Sequence, residues 1–195
     1  MAVWTAGVRV WDLRTGTAIG APLIGHTGGV SAVDCTLVDG IPVAVTGGRL
    51  AGGVRVWDLR TGQARGEPLP GPTGGVSALA CTSVDGTPVA VTGSNDGGLR
   101  MWDLRTGTGV GEPLAGHTRG VSAVACSVAD GTPMAATCGR RDNTVGVWNL
   151  RTGERVSLIR VPSPRAVSFA SDGGLVVGMN NDVAVLSRRS LRPRR

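Results

Sequence analysis

Residues 54–62, with the sequence Val-Arg-Val-Trp-Asp-Leu-Arg-Thr-Gly, decide the fold because they recur along the chain. Closely similar stretches occupy residues 8–16, 99–107 and 145–153. The tryptophans within these stretches lie 46, 45 and 46 residues apart, at Trp11, Trp57, Trp102 and Trp148. A fixed period of this length is typical of repeat architectures, in which each unit buries its apolar faces against its neighbours.

Four short apolar segments make up each repeat and predict four β-strands, which we name a to d in chain order. Strand a is predicted at residues 30–36, 76–82 and 121–127, and an Asp-Gly pair suited to a tight hairpin follows each copy. Strand d contains a proline in three repeats, at Pro22, Pro68 and Pro113. Because a proline within a strand is tolerated at a sheet edge, we predict sheets in the order a-b-c-d, with d outermost.

The repeat defines one array over residues 1–187. Its full units are predicted at residues 26–69, 72–115 and 118–160. Residues 1–24 supply only strands b, c and d, and residues 162–187 form a degraded last unit that lacks tryptophan. The remaining residues, 188–195, contain five arginines and are predicted to be a disordered basic tail.

Two dipeptides recur at fixed offsets within the repeat. Gly-His precedes strand a at residues 25–26 and 116–117, and Trp-Asp ends strand c at 11–12, 57–58 and 102–103. On these motifs the chain resembles the WD-repeat (tryptophan–aspartate repeat) β-propeller family over roughly residues 8–160. The resemblance implies an all-β propeller of about four to five four-stranded antiparallel blades. Since most members of that family have about seven blades, we expect an incomplete arc; the alternative is a four-blade ring closed by residues 18–24.

The resemblance also implies a buried hydrogen-bonded network in each blade. It joins the Gly-His histidine, a threonine on strand b, an aspartate in the b–c loop and the strand-c tryptophan. The third full unit has the complete set, His117, Thr137, Asp142 and Trp148. The first unit lacks the aspartate, and its set is His26, Thr46 and Trp57. The second unit has Pro72 in place of the histidine, and its set is Thr92, Asp96 and Trp102.

A catalytic triad is the competing interpretation of these His, Thr and Asp residues. A catalytic set would be hard to reconcile with its incomplete copies, so we interpret the residues as structural and predict that the protein is not an enzyme. The sequence has no Cys-x-x-Cys pair, no His/Asp cluster and no glycine loop followed by lysine. We therefore expect no metal and no cofactor.

The cysteines are not expected to form disulfides. Cys35, Cys81 and Cys126 occupy one position of strand a in successive units, and stacked sheets lie ~10 Å apart, whereas a disulfide needs Cα atoms within ~7 Å. These three residues are interpreted as small buried hydrophobes. Cys138, at the end of a strand, is the candidate reactive thiol.

A net charge of +6 is typical of nucleic-acid-binding proteins, but the positions of the charges weaken this indication. Every basic residue is arginine, and the tail at 188–195 holds five of them, which leaves a nearly neutral body. Nucleic-acid binding through this tail is therefore the alternative rather than the leading function. The sequence contains no apolar stretch long enough to span a membrane and no recognisable secretion signal, so we expect a cytoplasmic location without membrane contact.

The loops on one rim of the predicted array carry the residues most suited to binding a partner. They are Arg49, Asn95, Arg119, Arg140 and Arg141. The resemblance implies that such a rim binds proteins. We therefore predict a non-enzymatic protein–protein interaction scaffold or docking module. It resembles the repeat arrays at the C-terminal ends of large bacterial signalling proteins and is interpreted as such a C-terminal piece. Its partner would be another protein or another domain of a longer parent, and its open ends would favour self-association.

Overall fold

The computed structural model describes residues 6–50, 53–72, 74–114 and 116–187. In this part of the chain every regular element is a β-strand, and the sixteen strands form five antiparallel sheets. No helix capable of crossing a membrane occurs among these residues. The fold is therefore all-β, as the sequence predicts.

The sheets follow one another in chain order. The first sheet contains β1 (Ala6–Trp11) and β2 (Ala18–His26). The second contains β3 (Val30–Val38), β4 (Ile41–Gly48), β5 (Val54–Asp58) and β6 (Gln63–Ala64). The third contains β7 (Val76–Val84), β8 (Thr87–Ser94) and β9 (Leu99–Asp103). The fourth contains β10 (Val121–Ala129), β11 (Thr132–Gly139), β12 (Thr144–Asn149) and β13 (Arg155–Arg160). The last contains β14 (Ala166–Phe169), β15 (Leu175–Gly178) and β16 (Val183–Leu186).

Asp-Gly pairs close the a–b hairpins. Asp39 and Gly40 both have positive φ, 52° and 75°, which is the conformation that a two-residue hairpin turn requires. The strands on either side then pair in register, from Val38 with Ile41 to Ala32 with Gly47. Strand a continues two residues beyond the predicted end, to Val38, Val84 and Ala129. Strands a, b and c are adjacent in the predicted order in every full sheet.

Strand d is shorter in the second and third sheets than in the fourth sheet. In the second sheet only β6 and a single bridge between Val54 and Leu69 represent it. In the third sheet two isolated bridges, from Leu99 to Leu114 and from Trp102 to Gly109, take its place. The fourth sheet has no proline in this segment and forms the full strand β13. The missing N–H of Pro68 and Pro113 interrupts the hydrogen-bond ladder in these two sheets, although β2 of the first sheet contains Pro22 and still extends over nine residues.

Consecutive sheets pack face to face through their a strands β3, β7, β10 and β14. Serines on these strands connect neighbouring sheets: Ser77 Oγ donates to the carbonyl of Val121 at 2.7 Å, and Ser122 Oγ donates to that of Pro164 at 3.2 Å. The first and last sheets make no extensive contact within the described residues. The sheets therefore form an open arc rather than a closed ring.

The core lies between the sheets. Between the second and third sheets, valines of strands β4 and β5, such as Val45 and Val54, pack against Trp102 and Leu104. The same arrangement recurs between later sheets, and Trp57, Trp102 and Trp148 are each only 2% exposed. Trp11 is 53% exposed because no described sheet precedes its own.

The ends of the array differ from the sequence-based expectation. Residues 1–24 were expected to supply strands b, c and d; the described residues form strands c and d, in β1 and β2, and the expected strand b lies outside the described residues. Strand β2 continues to His26, beyond the predicted boundary at residue 24. Residues 1–5 and the basic tail at 188–195 lie outside the described residues.

Candidate functional site

His117 forms the centre of a buried network in the fourth sheet. Its Nε2 lies 2.9 Å from Thr137 Oγ1, which also accepts a hydrogen bond from Trp148 Nε1 at 2.9 Å. Its Nδ1 lies 3.0 Å from Asp142 Oδ2 and 3.0 Å from Thr144 Oγ1. Because a carboxylate only accepts, His117 Nδ1 donates to Asp142, and Thr137 Oγ1 also donates to the carbonyl of Gly146 at 3.4 Å. The hydrogen bonds therefore link four side chains in series, from Asp142 through His117 and Thr137 to Trp148.

The Asp142 carboxyl is held in its charged form by this network. Burial favours its neutral form, but the hydrogen bond from Thr144, the adjacent His117 imidazole and the amide of Thr118 outweigh burial, and its pKa lies below the ordinary value. The carboxylate therefore anchors the loop between β11 and β12 to the histidine. Thr144 was not among the residues predicted for the network, although its position two residues after Asp142 suits a hydroxyl that donates to the carboxylate.

The other two sheets contain reduced versions of the network. In the second sheet, His26 Nε2 lies 2.7 Å from Thr46 Oγ1, and Trp57 Nε1 donates to the same oxygen at 2.9 Å. In the third sheet, Trp102 Nε1 donates to Thr92 Oγ1 at 3.1 Å. A cavity of about 280 Å³ adjoins this threonine, on the side that Pro72 borders in place of a histidine.

Asp96 departs from the predicted network. Its carboxylate accepts hydrogen bonds from Ser94 Oγ and from the amide of Gly98, and both partners belong to its own loop. These bonds, with that of Ser94 the largest contribution, lower the pKa of the Asp96 carboxyl. Without a histidine in this sheet, Asp96 stabilises the b–c loop alone.

The geometry of the network is unsuited to a catalytic triad. The nucleophile of such a triad would be Thr137, whose side chain is 0% exposed and whose oxygen is enclosed by His117 and Trp148. A substrate carbonyl could not approach this oxygen without disrupting the core. Among the described residues no group of three or more His, Cys, Asp or Glu side chains could hold a metal ion.

Two predictions about the cysteines are wrong. Cys35 is exposed rather than buried, because no strand among the described residues of the first sheet covers its side of β3. Cys138, the candidate reactive thiol, is fully buried, and burial raises its pKa to about 12, so its thiol stays protonated and unreactive. Cys81 and Cys126 are partly buried, and burial, followed by the charge of Asp34, raises the pKa of both thiols. All four cysteines are free.

Three of the five predicted rim residues converge on one cavity. Arg49, Asn95 and Arg140 each follow strand b of their own sheet, and the stacking of the sheets brings them together. The backbone amides of Arg49 and Arg140 donate to the carbonyls of Gly29 and Gly120 at 3.0 and 2.8 Å, which fixes the two loops in equivalent positions. The three residues line a cavity of about 440 Å³ together with Ser31, Val76 and Ser77. We refer to this cavity as the rim cavity.

The rim cavity presents positive charge. No acidic side chain lines it, and neither Arg49 nor Arg140 forms an ion pair within the part of the chain that the structure describes. The hydroxyl of Ser77 donates to backbone carbonyls, and the two arginines are the charged residues among those that line the space. Arg119 and Arg141 are exposed on adjacent loops and do not line the cavity.

Comparison with known proteins agrees with this architecture. The family model "WD domain, G-beta repeat" matches residues 65–103 and 110–149. A crystal structure of the computationally designed Ika4 protein is similar to the chain, with a TM-score of 0.66 and 25% sequence identity, over 83% of this chain and 92% of that one. No curated protein gives a match. The fold and the repeated Trp-centred network define a β-propeller arc, and the two matched repeats support its resemblance to the WD-repeat β-propeller family.

Proposed function

We propose that this chain is a cytoplasmic, non-enzymatic docking module whose rim cavity binds an acidic segment of a partner protein. WD-repeat domains generally bind partner proteins. The observation that carries the proposal is the convergence of Arg49 and Arg140 on one cavity that no acidic residue lines. The partner is a separate protein or, where the chain is one part of a longer protein, another domain of it.

The chemistry of the cavity supports a carboxylate-bearing ligand. A guanidinium group forms paired hydrogen bonds with a carboxylate, and two such groups in one recess provide more donors than a single carboxylate uses. The volume of about 440 Å³ is large enough for one or two acidic side chains. Asn95, which also lines the cavity, donates from Nδ2 to the carbonyl of Gly74 at 2.8 Å.

A charge-reversed double variant tests the proposal. A fluorescein-labelled hexaglutamate peptide is expected to bind the wild-type chain at low ionic strength, and Arg49→Glu with Arg140→Glu should weaken that binding at least about tenfold, since arginine is prominent among residues that dominate interface energy. Fluorescence anisotropy measures the affinity. The matched control is Arg9→Glu with Arg14→Glu, which changes the net charge equally at exposed positions on the first sheet.

The control separates a site from a general charge effect. If both double variants weaken binding equally, the peptide responds only to net charge and the rim cavity is not the docking site. Arg119→Glu with Arg141→Glu should have an intermediate effect, because these residues adjoin the cavity without lining it. The alternative of nucleic-acid binding rests on residues 188–195, which lie outside the described part of the chain.

Self-association is the second candidate function, and the exposed end faces favour it. Val183 and Val185 on the last sheet are 61% and 69% exposed, whereas Val54, which occupies the place of Val183 in the second sheet, is 0% exposed. At the other end of the arc, Trp11 and Ile24 are 53% and 55% exposed. Internal sheets bury such faces against each other, so the last sheet of one copy suits the first sheet of another.

Sedimentation velocity over a range of concentrations tests this association. The wild-type chain is expected to form larger species as concentration rises, and Val185→Asp should return it to a monomer by placing a charge in the contact. A chain that stays monomeric at all concentrations would contradict the proposal. So would a Val185→Asp variant that associates as strongly as the wild type.

A further inference from the structure

The third sheet differs from the second and fourth sheets at two positions near its network threonine. Pro72 stands where both other sheets have a histidine, and Ser94 stands where both have a glycine. Thr92 and Trp102 are retained, and Trp102 Nε1 donates to Thr92 Oγ1 at 3.1 Å. In the fourth sheet the residue after the histidine, Thr118, is exposed, so the imidazole is the side chain of this segment that reaches the network. The third sheet therefore keeps the threonine and the tryptophan of the network without the imidazole.

A cavity of about 280 Å³ adjoins Thr92 in this sheet, and we refer to it as the threonine cavity. Pro72 and Pro113 provide apolar walls, and Asp96 and Arg100 provide polar ones. Asp96 and Arg100 are exposed, so a solute can enter the cavity from solvent. Because a cavity of about 150 Å³ holds a benzene molecule, a five-membered ring fits here with room to shift.

The hydroxyl of Thr92 has hydrogen-bonding capacity that the third sheet does not use. The residue is 1% exposed, and its hydroxyl accepts from Trp102 and faces the carbonyl of Arg100 at 3.4 Å, which is longer than an ordinary O–H···O bond. Thr137 makes the same two contacts, at 2.9 and 3.4 Å, and in addition lies 2.9 Å from His117 Nε2. Since a hydroxyl offers one donor and two lone pairs, Thr92 has room for the same third partner.

The carboxylate of Asp96 offers a second contact. Asp96 precedes the tryptophan of its sheet by six residues, as Asp142 does in the fourth sheet. The two bonds that Asp96 accepts from its own loop both go to Oδ1. In Asp142, Oδ1 likewise accepts from Thr144, and Oδ2 lies 3.0 Å from His117 Nδ1. Oδ2 of Asp96 therefore corresponds to the oxygen that the histidine meets in the fourth sheet.

The second sheet demonstrates that an imidazole and an arginine can share this part of a sheet. Arg55 occupies the position of Arg100, two residues before the tryptophan, and its guanidinium carbon lies 6.0 Å from the Trp57 ring centroid. The ring centroid of His26 lies 6.5 Å from that of the same tryptophan. Arg100 therefore does not prevent a ring from reaching Thr92.

Ser94 determines where a ring can lie in the threonine cavity. A Cβ placed on Gly139, the corresponding residue of the fourth sheet, would lie 2.5 Å from His117 Nδ1. A ring beside Ser94 must therefore lie farther from β8 than the His117 ring lies from β11. A ring that is not attached to the backbone at residue 72 can make this shift toward Asp96 and Arg100.

We propose that the threonine cavity binds an imidazole ring supplied from outside this chain. One ring nitrogen meets Thr92 Oγ1, the other donates to Asp96 Oδ2, and the ring lies between Pro72 and Pro113. The ring belongs either to a histidine side chain of a partner polypeptide or to a free imidazole compound. The threonine cavity shares no lining residue with the rim cavity, so the inference goes beyond the proposed function and does not depend on it.

An NMR titration of the ¹⁵N-labelled full chain with imidazole tests the proposal. The titration is made at about pH 8, where an imidazole group with its ordinary pKa of about 6.5 is neutral. The indole N–H signal of Trp102 is expected to shift saturably, because its acceptor Thr92 gains a partner. The signals of Trp57 and Trp148 should stay in place, since their threonines already contact histidines. Trp102→Phe assigns the signal.

Two variants should change the affinity in opposite directions. Thr92→Val removes the hydroxyl and should weaken imidazole binding about tenfold or more. Ser94→Gly restores the glycine found beside both histidines and frees Asp96 from its serine partner, so it should tighten binding about threefold or more. Thr106→Val is the matched control, because it removes a threonine hydroxyl at an exposed position that does not line the cavity.

A peptide identifies the source of the ring. If acetyl-Gly-His-Gly-amide shifts the Trp102 signal with an affinity like that of imidazole, a partner's histidine can enter the cavity. If only imidazole does so, the ligand is a free compound, and either result supports the site. A Trp102 signal that does not shift saturably, equal shifts of all three indole signals, or equal affinities of the Thr92→Val and Ser94→Gly chains would overturn the proposal. The test of the rim cavity is unaffected by any of these results.

Discussion

Replacing Trp148 with alanine is expected to lower the free energy of unfolding by about 3–5 kcal/mol, the range for large-to-small changes in a packed core. The indole is 2% exposed and packs with Leu99, Leu114 and Val121 between the third and fourth sheets. It also donates to Thr137 at 2.9 Å, so its removal opens a cavity and removes a buried hydrogen bond. Urea unfolding followed by far-UV circular dichroism measures the change.

The repeat offers a matched control for this prediction. Trp11 occupies the same position in the first sheet but is 53% exposed, so Trp11→Ala should cost less than about 1 kcal/mol. Equal losses in the two variants would mean that the exposed end of the arc is covered in solution. A Trp148→Ala chain as stable as the wild type would contradict the packing between the third and fourth sheets.

The sequence could predict the sheet order because local chemistry dictates it. Asp-Gly pairs permit only a tight turn, as the positive φ of Asp85 and Gly86 illustrates, and the prolines exclude strand d from the interior. The Trp period could predict the stacking of the sheets, since each indole needs a neighbouring sheet to bury it. These signals repeat, and each copy supports the interpretation of the others.

Features that depend on the neighbouring sheet could not be predicted from one repeat. Cys35 has the same sequence context as Cys81, yet it is exposed because the described residues of the first sheet form only strands c and d. Cys138 follows Thr137 near a strand end, but the last sheet covers it through Val167 and Val177. A prediction based on the repeat assumes that every sheet has a neighbour on both sides. This assumption does not hold for the first and last described sheets.

The rim cavity shows the same dependence on stacking. Arg49, Asn95 and Arg140 are about 46 residues apart in sequence, and each would be an ordinary exposed loop residue in an isolated hairpin. Their convergence follows from the equivalent places of their loops in successive sheets. Arg119 and Arg141 were predicted as rim residues together with these three. The position of a residue in a loop does not by itself show whether it lines a cavity shared with other loops.

Replacing the threonine of the network is the second change that we expect to lower the free energy of unfolding strongly. Thr137 Oγ1 serves both Trp148 Nε1 and His117 Nε2, whereas Thr92 Oγ1 serves Trp102 Nε1 in a sheet without the histidine. Both side chains are essentially inaccessible to solvent. A valine has nearly the same shape as threonine but no hydroxyl, so it leaves the former partners unpaired with little change in packing.

Thr137→Val is therefore expected to cost about 2–4 kcal/mol of unfolding free energy, since it leaves two buried polar groups without a partner. Thr92→Val is expected to cost about 1–2 kcal/mol, since it leaves one such group without a partner. Urea unfolding of both variants measures the difference. Thr137→Ser keeps the hydroxyl and removes the methyl, so it is the control that retains the hydrogen bonds. Equal costs for the two valine variants would mean that the Thr137 hydroxyl does not hold His117. A larger cost at position 137 would establish that the histidine, through Asp142, connects the b–c loop to the core, and that Pro72 deprives the third sheet of this connection.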